Sequence, residues 1–509
     1  MGKLASKMAS KMANKRQPAV RKNKPARTVP KPLVILFVWL GQMVAYLTGP
    51  SRRWLAQHPA AATWLAVLRL GLFQFGIGLS MAPITGTLNR VLIDEMRIPA
   101  GAVAFLIALH YFVSPVRAML GYRSDKARAA GKWRTPYVVL GVMLTYGGLA
   151  SAPFALILLG GHGTISFWPA MLICSAIFLV YGAGVNIVET IYLALVSDIT
   201  PPKSRGQVLS ALWIMLILGT VVGALIISSL LTNYSHRQLI SVMQGSAVAF
   251  VVLTVLALWQ QERLHPDGTI KSSIEAVRVR LSLWESIRML GGQKALQGLF
   301  VVVFIATAAF ETHDVLLEPY GGQVLGMSVS ATMRLTALWG VGMITGVAIA
   351  AWMLWRKQSP ALLISLGCAI GLLGFGIICY ASDIALIGPF RIGVSLISMG
   401  RGLFIVGSVM LVMSLTDISH AGLFLGIWGI VQAMAEGIGT IGGGVLRDIA
   451  QRLTGSVVLG YTFVYSTALL MLLVVILLLA VRWRRHLWVE DIKMPWAGLE
   501  EIPADQLVF

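Results

Sequence analysis

The chain has 509 residues, of which 57% are hydrophobic and 12% charged, and a formal net charge of +20. Twelve membrane spans of about 20 residues would use only about 240 positions, and the charged fraction is roughly half the ~25% usual in soluble chains. That balance excludes a soluble enzyme, a secreted disulfide scaffold and a disordered chain, and the long apolar runs lack the ~10-residue alternation of a transmembrane barrel.

The first element is a basic tail, residues 1–32. Ten Lys/Arg and no acid fall within residues 1–31, alongside Pro18, Pro25 and Pro30 and no aromatic residue. Such a segment is expected to be disordered and cytoplasmic. It suits anionic lipid, at about 1 kcal/mol per charge near the surface. Nucleic-acid binding is not expected, because no recognition fold accompanies the charge. Next comes 33–63. Its apolar stretch LVILFVWLGQMVAYLTG (33–49) lies between Lys31 and Arg52/Arg53. At the short limit for a span and basic at both ends, it reads as an interfacial or re-entrant helix.

Apolar runs then place spans at 64–90, 100–120, 136–160, 167–195, 207–231, 238–260, 295–317, 330–355, 360–381, 387–413, 422–446 and 457–481. The widest polar break, 261–294, divides them into an N-terminal half (64–260) and a C-terminal half (295–481), with a tail at 482–509. Loops after even spans are the basic ones: Arg123, Lys126, Arg128, Lys132 and Arg134, then Lys203 and Arg205, then Arg356 and Lys357. The positive-inside rule therefore expects both termini in the cytoplasm. Cys174, Cys368 and Cys379 each sit in an apolar run without CxxC spacing and read as small buried hydrophobes.

The loop after the second span carries Gly121, Asp125, Lys126, Gly131, Lys132 and Arg134. It resembles the GxxxD(R/K)xGR(R/K) signature of the major facilitator superfamily, with three extra residues between Lys126 and Gly131. Glycine permits a tight turn there, and Asp125 can accept hydrogen bonds at a helix end. The fold expected is an all-α polytopic 6+6 helix bundle. A narrower resemblance covers 64–480. The stretches RLGLFQFGIGLSMAPITGTLNRVLIDE (69–95), DVLLEPYGGQVLGMSVSATMRLTALWG (314–340) and GLFLGIWGIVQAMAEGIG (422–439) resemble the PucC-type branch of that superfamily. The resemblance implies assembly of light-harvesting or chlorophyll-binding complexes in a cytoplasmic, intracytoplasmic or thylakoid membrane. Antenna subunits and a tetrapyrrole would be its partners, with (bacterio)chlorophyll as cargo. The sequence itself requires no cofactor and no other metal.

Charges within apolar runs mark the candidate site, because each costs about 2.5–3.5 kcal/mol at the bilayer centre. Span seven offers Glu311, Asp314 and Glu318, which a regular helix would hold within about 60° of one another. Pro319 is expected to end that helix and leave Glu318 near the outer rim. Glu189 in span four, Arg401 in span ten and Glu436 in span eleven complete a set of cavity or gating candidates. Their pairing as a staple between the halves is the bland alternative. His110 and His313 are candidate magnesium ligands for a pigment, although His313 is offset from the acidic stripe and expected to face lipid or a partner. Gly219/Gly223, Gly342/Gly346 and Gly439/Gly443 read as close-packing pairs. No nucleophile–base set, HExxH or Walker motif appears, so no enzyme is expected. The alternative function is a proton-coupled transporter using the span-seven carboxylates.

Overall fold

A computed structural model of the chain describes residues 59–114, 134–160, 165–200, 205–259, 261, 294–415 and 421–482. The basic tail, the 33–49 segment, Gly121 through Lys132 of the loop motif, most of the central linker and the residues after 482 lie outside the described residues. The chain divides into Met1–Leu65 and Ala66–Phe509, and the bundle set out below belongs to the second unit.

Every regular element among the described residues is helical. The N-terminal half holds α1 (Pro59–Pro83), α2 (Ala100–Phe112), α3 (Thr135–Ser151), α4 (Phe167–Ile199), α5 (Arg205–Leu230) and α6 (His236–Leu258). The C-terminal half holds α7 (Lys294–Glu311), α8 (Val329–Trp355), α9 (Pro360–Ile384), α10 (Ile387–Leu415), α11 (Ala421–Thr454) and α12 (Val457–Leu477). Eleven of the described spans are long and apolar enough to cross a membrane, and α2 is a shorter apolar helix that runs up to undescribed residues. The protein is a multi-pass membrane protein.

Serine starts several of these helices. Ser235, Ser328, Ser359 and Ser456 each accept a hydrogen bond from the backbone N–H three residues on, satisfying a donor that the first turn would leave orphaned. Helix α2 starts after Pro99 with no side-chain cap of its own. Its cap comes from α11: the Asp448 carboxylate accepts from the N–H of Ala100 at 3.1 Å and of Gly101 at 2.8 Å. An acid at the positive end of a helix dipole is well placed electrostatically.

Small residues set how closely the helices pack. A Cβ at Gly219 or Gly223 would strike α1 at Phe75 or Leu79. At Gly342 and Gly346 it would strike Ser398 and Met399 of α10, and at Gly439 and Gly443 it would strike Ala308 and Thr312 at the end of α7. All three sequence pairs thus lie at helix crossings where backbones nearly touch. Between the halves, α2 packs on α11 and α5 on α8.

Two helices are irregular. After Pro83, α1 continues through wide turns at Ile84–Leu88 and Val91–Glu95, in which Met96 N–H reaches back to Val91 at 3.0 Å. Proline cannot donate to the preceding turn, and a widened turn absorbs the mismatch. Span seven departs further from expectation. Helix α7 stops at Glu311, a single tight turn covers Asp314–Leu316, and a new short helix, α7′, runs Leu317–Gln323. Pro319 therefore lies in the first turn of a helix and does not end one. Its missing N–H leaves the Val315 carbonyl without an intrahelical donor, which is why the regular helix fails before it.

Candidate functional site

A cavity of about 1140 Å³ lies between the halves. Its closed end carries Glu311, Asp314, Glu318, Arg401, Gln432 and Glu436, with Tyr111, Thr336 and Trp339 beside them. The rest of its wall is mostly aliphatic and aromatic, from Leu209–Ile217 on α5, Met343–Trp355 on α8 and Ile405–Met413 on α10.

Arg401 organises the closed end. Its Nη2 pairs with Glu311 and with Glu436, the latter at 3.1 Å, and its guanidinium lies 5.4 Å from the centre of the Trp339 ring. Glu311 is buried, and Glu436 also accepts from Gln432 Nε2 at 3.3 Å. A buried charge needs such partners, because desolvation otherwise outweighs what it gains. Gln432 Oε1 has no hydrogen-bond partner among the described residues. Asp314, half-buried on the wall, makes no ion pair or hydrogen bond among the described residues.

Glu318 is buried, not at an outer rim. It accepts from Thr336 Oγ1 at 2.7 Å and from Asn89 Nδ2 at 3.1 Å. The three span-seven acids do share the cavity, but across a broken helix and not along one regular stripe. Glu189 is buried on α4 and is absent from the cavity wall, so four of the expected carboxylates meet Arg401's end and this one does not.

The histidines sit elsewhere. His110 Nδ1 lies 2.6 Å from the Ile107 carbonyl, and its ring borders a pocket of about 10 Å³. That is room for about one water; no macrocycle fits. His313 is buried edge-on against Phe375, with ring centres 5.4 Å apart. It therefore faces neither lipid nor a partner, contrary to expectation, because the break after Glu311 resets the angular register. Of the loop motif, Arg134 alone is described: it is buried and precedes α3.

Beyond the closed end, polar bonds join the two halves. Arg90 donates to the Met327 carbonyl at 2.8 Å and to Thr332 at 3.1 Å. Gln323 of α7′ accepts from Arg447 at 2.6 Å and from Tyr461 at 2.8 Å, and donates to the Ile93 carbonyl at 3.1 Å. Ser228 and Ser330 exchange hydrogen bonds between α5 and α8. Together with the Asp448 cap, these bonds close one end of the bundle while the cavity occupies the other. Sequence reading did not select Asn89, Arg90, Gln323, Gln432, Arg447 or Asp448.

The sequence model of the family described as "PUCC protein" matches residues 87–486. The chain belongs to that family. Among its relatives, Protein PucC of Cereibacter sphaeroides is 36% identical over 419 residues, covering 81% of this chain and 90% of the relative. The Bacteriochlorophyll synthase 44.5 kDa chain of Rhodobacter capsulatus is 29% identical over 394 residues, covering 76% and 88%. Among solved structures, a mutant of the nucleoside transporter NupG aligns with a TM-score of 0.60 at 12% identity, over 81% of this chain and 98% of that one. At that identity the likeness is one of fold: this family member has the major facilitator fold.

Proposed function

We propose that this chain is a non-enzymatic membrane assembly factor for light-harvesting or related chlorophyll–protein complexes. Its cavity would hold a tetrapyrrole pigment, or part of a nascent antenna subunit, for delivery. The observation that carries this reading is the cavity itself. At about 1140 Å³ it exceeds the roughly 300–1,000 Å³ usual for small-molecule sites, and its walls are mostly apolar away from the end that holds Arg401 and the carboxylates. Family membership and relatives named for PucC and for bacteriochlorophyll support the pigment assignment. Both termini would be cytoplasmic, with the basic tail on anionic lipid.

The test is affinity purification of the full chain from native membranes, followed by an absorption spectrum and peptide identification of the eluate. Tetrapyrrole absorption or antenna polypeptides are expected, and both should fall in Arg401→Met. An eluate with neither would overturn the reading. Solute-linked proton uptake in proteoliposomes would instead support a secondary transporter, which the cavity carboxylates also suit.

A further inference from the structure

Helices α5 and α8 touch over only part of their length. At one end Val221 meets the face of Gly340, Ser228 bonds Ser330, and Arg334 donates to Ser228 at 3.2 Å. At the other end Ile214 of α5 and Ala348 and Ala351 of α8 are all exposed and all line the cavity. Beyond the Val221–Gly340 contact, these residues of the two helices therefore face the cavity. From there to Leu209 and Trp355 they run for about 18–22 Å at 1.5 Å per residue, roughly two-thirds of a ~30 Å hydrocarbon core. Toward the end capped by Asp448, α2 packs on α11, with Phe112 against Gly437 and Ala100 against Gly444.

The chemistry along this cleft changes in one direction. The mouth between α5 and α8 is apolar, and Lys357 stands at its rim. The far end is rich in acceptors. Glu311 and Glu436 are taken up by Arg401, and Glu318 by Asn89 and Thr336, whereas Asp314 lines the cavity without an ion pair or hydrogen bond among the described residues, and Gln432 Oε1 is buried at the same end without a hydrogen-bond partner among them. A wholly polar solute would lose hydration against most of this wall without replacement. A wholly apolar one would bury the acceptors unpaired. An amphipath meets both demands.

We infer that the α5–α8 cleft is a lateral portal for an amphipathic cargo. Its head, a hydrogen-bond donor or a Lewis-acidic metal centre, sits at Asp314, and its long hydrocarbon tail lies between Ile214 and Ala351, continuous with the bilayer. This rests on the cargo reading above and adds the route and the class of molecule. In a bilayer the tail exchanges lipid contacts for wall contacts at little gain; what it contributes is to hold the cargo in the membrane beside the cleft and raise its effective concentration there, so the tail governs access and the head governs orientation.

The test compares two probes that differ only in the tail: chlorophyllide a and its phytyl ester, chlorophyll a. Each is bound to the full chain in lipid nanodiscs, and retained pigment is read by absorbance after subtraction of empty nanodiscs. The ester should bind at least tenfold more tightly than the free ring. That ratio should fall below about threefold in Ala351→Phe and, from the opposite wall, in Ile214→Trp, which together distinguish a plugged cleft from a local packing defect. Equal binding of the two probes, or a ratio unchanged by both plugs, overturns the portal and leaves the cargo reading standing. Failure of the parent chain to retain either probe overturns the portal and the pigment form of the cargo reading together.

Discussion

Asn89 donates to the Val315 carbonyl at 3.1 Å, the acceptor that Pro319 leaves without an intrahelical donor. The same amide nitrogen reaches Glu318 at 3.1 Å. One residue of the N-terminal half thus completes the broken helix of the C-terminal half and holds its buried acid. Asn89→Leu should destabilise the protein by about 1–3 kcal/mol, the cost of leaving a buried polar group unsatisfied. Pro319→Ala in that background should recover part of the loss, because an N–H returns to the Val315 carbonyl. Thermal unfolding of the four proteins in detergent forms a double-mutant cycle. Strictly additive losses would refute the coupling.

Adjacent glycines of α11 give a second prediction. A Cβ at Gly443 would strike the Thr312 carbonyl, whereas one at Gly442 meets nothing within 4 Å. Gly443→Ala should lower folded yield sharply by forcing α11 from α7. Gly442→Ala should be neutral or stabilising by about 0.5–1 kcal/mol through helix propensity. Size-exclusion profiles of the two variants decide it, and equal behaviour would contradict the observed packing.

The spans were legible because each is an apolar run interrupted by charge, and Glu311, Arg401 and Glu436 stood out as charges within such runs. What was not legible depends on angles and distant partners. The angles expected for His313 and the acidic stripe are those of a uniform helix, and the break ahead of Pro319 voids that arithmetic. Glu189 shares a cavity-lining span by analogy, yet its side of α4 depends on helix rotation that spacing alone does not fix. Asp448 caps a helix 348 residues earlier in the chain, and its local sequence carries no sign of it. Gln432, Trp213 and Trp339 are ordinary members of apolar helices until the cavity shows which way they face.

Removing Arg401 should cost more than removing it together with an acid. The pair with Glu311 is buried, and breaking one side of such a pair costs about 3–5 kcal/mol because the other charge is left uncompensated. Arg401→Met/Glu311→Gln should therefore be more stable than Arg401→Met alone, as measured by thermal unfolding. A double variant less stable than the single would mean that Glu311 has a compensating partner of its own.

The Asp448 cap joins the halves at the closed end. Asp448→Ala removes acceptors from two N–H groups of α2, at about 0.5–2 kcal/mol, and frees Arg447 from a 3.0 Å ion pair. The closed end should then open more often. A cysteine replacing Thr85 on the cavity wall should react faster with a membrane-impermeant maleimide applied from that side. Unchanged labelling would show that the remaining bonds of Arg90 and Gln323 suffice to hold it shut.

Asp314 separates a staple from a cargo contact. Glu311 and Glu318 are bound to other side chains, but Asp314 faces the cavity without an ion pair or hydrogen bond among the described residues. Replacing it by alanine removes a carboxylate that repels its acidic neighbours at low dielectric, so Asp314→Ala should insert and accumulate normally. Antenna complex should nevertheless decline, because an acceptor aimed at the cargo head is lost. Immunoblot of the chain and membrane absorption of the antenna, taken from the same cells, measure the two quantities separately. Normal amounts of both would remove Asp314 from the functional site. Loss of both would make it part of the structure that Arg401 holds together.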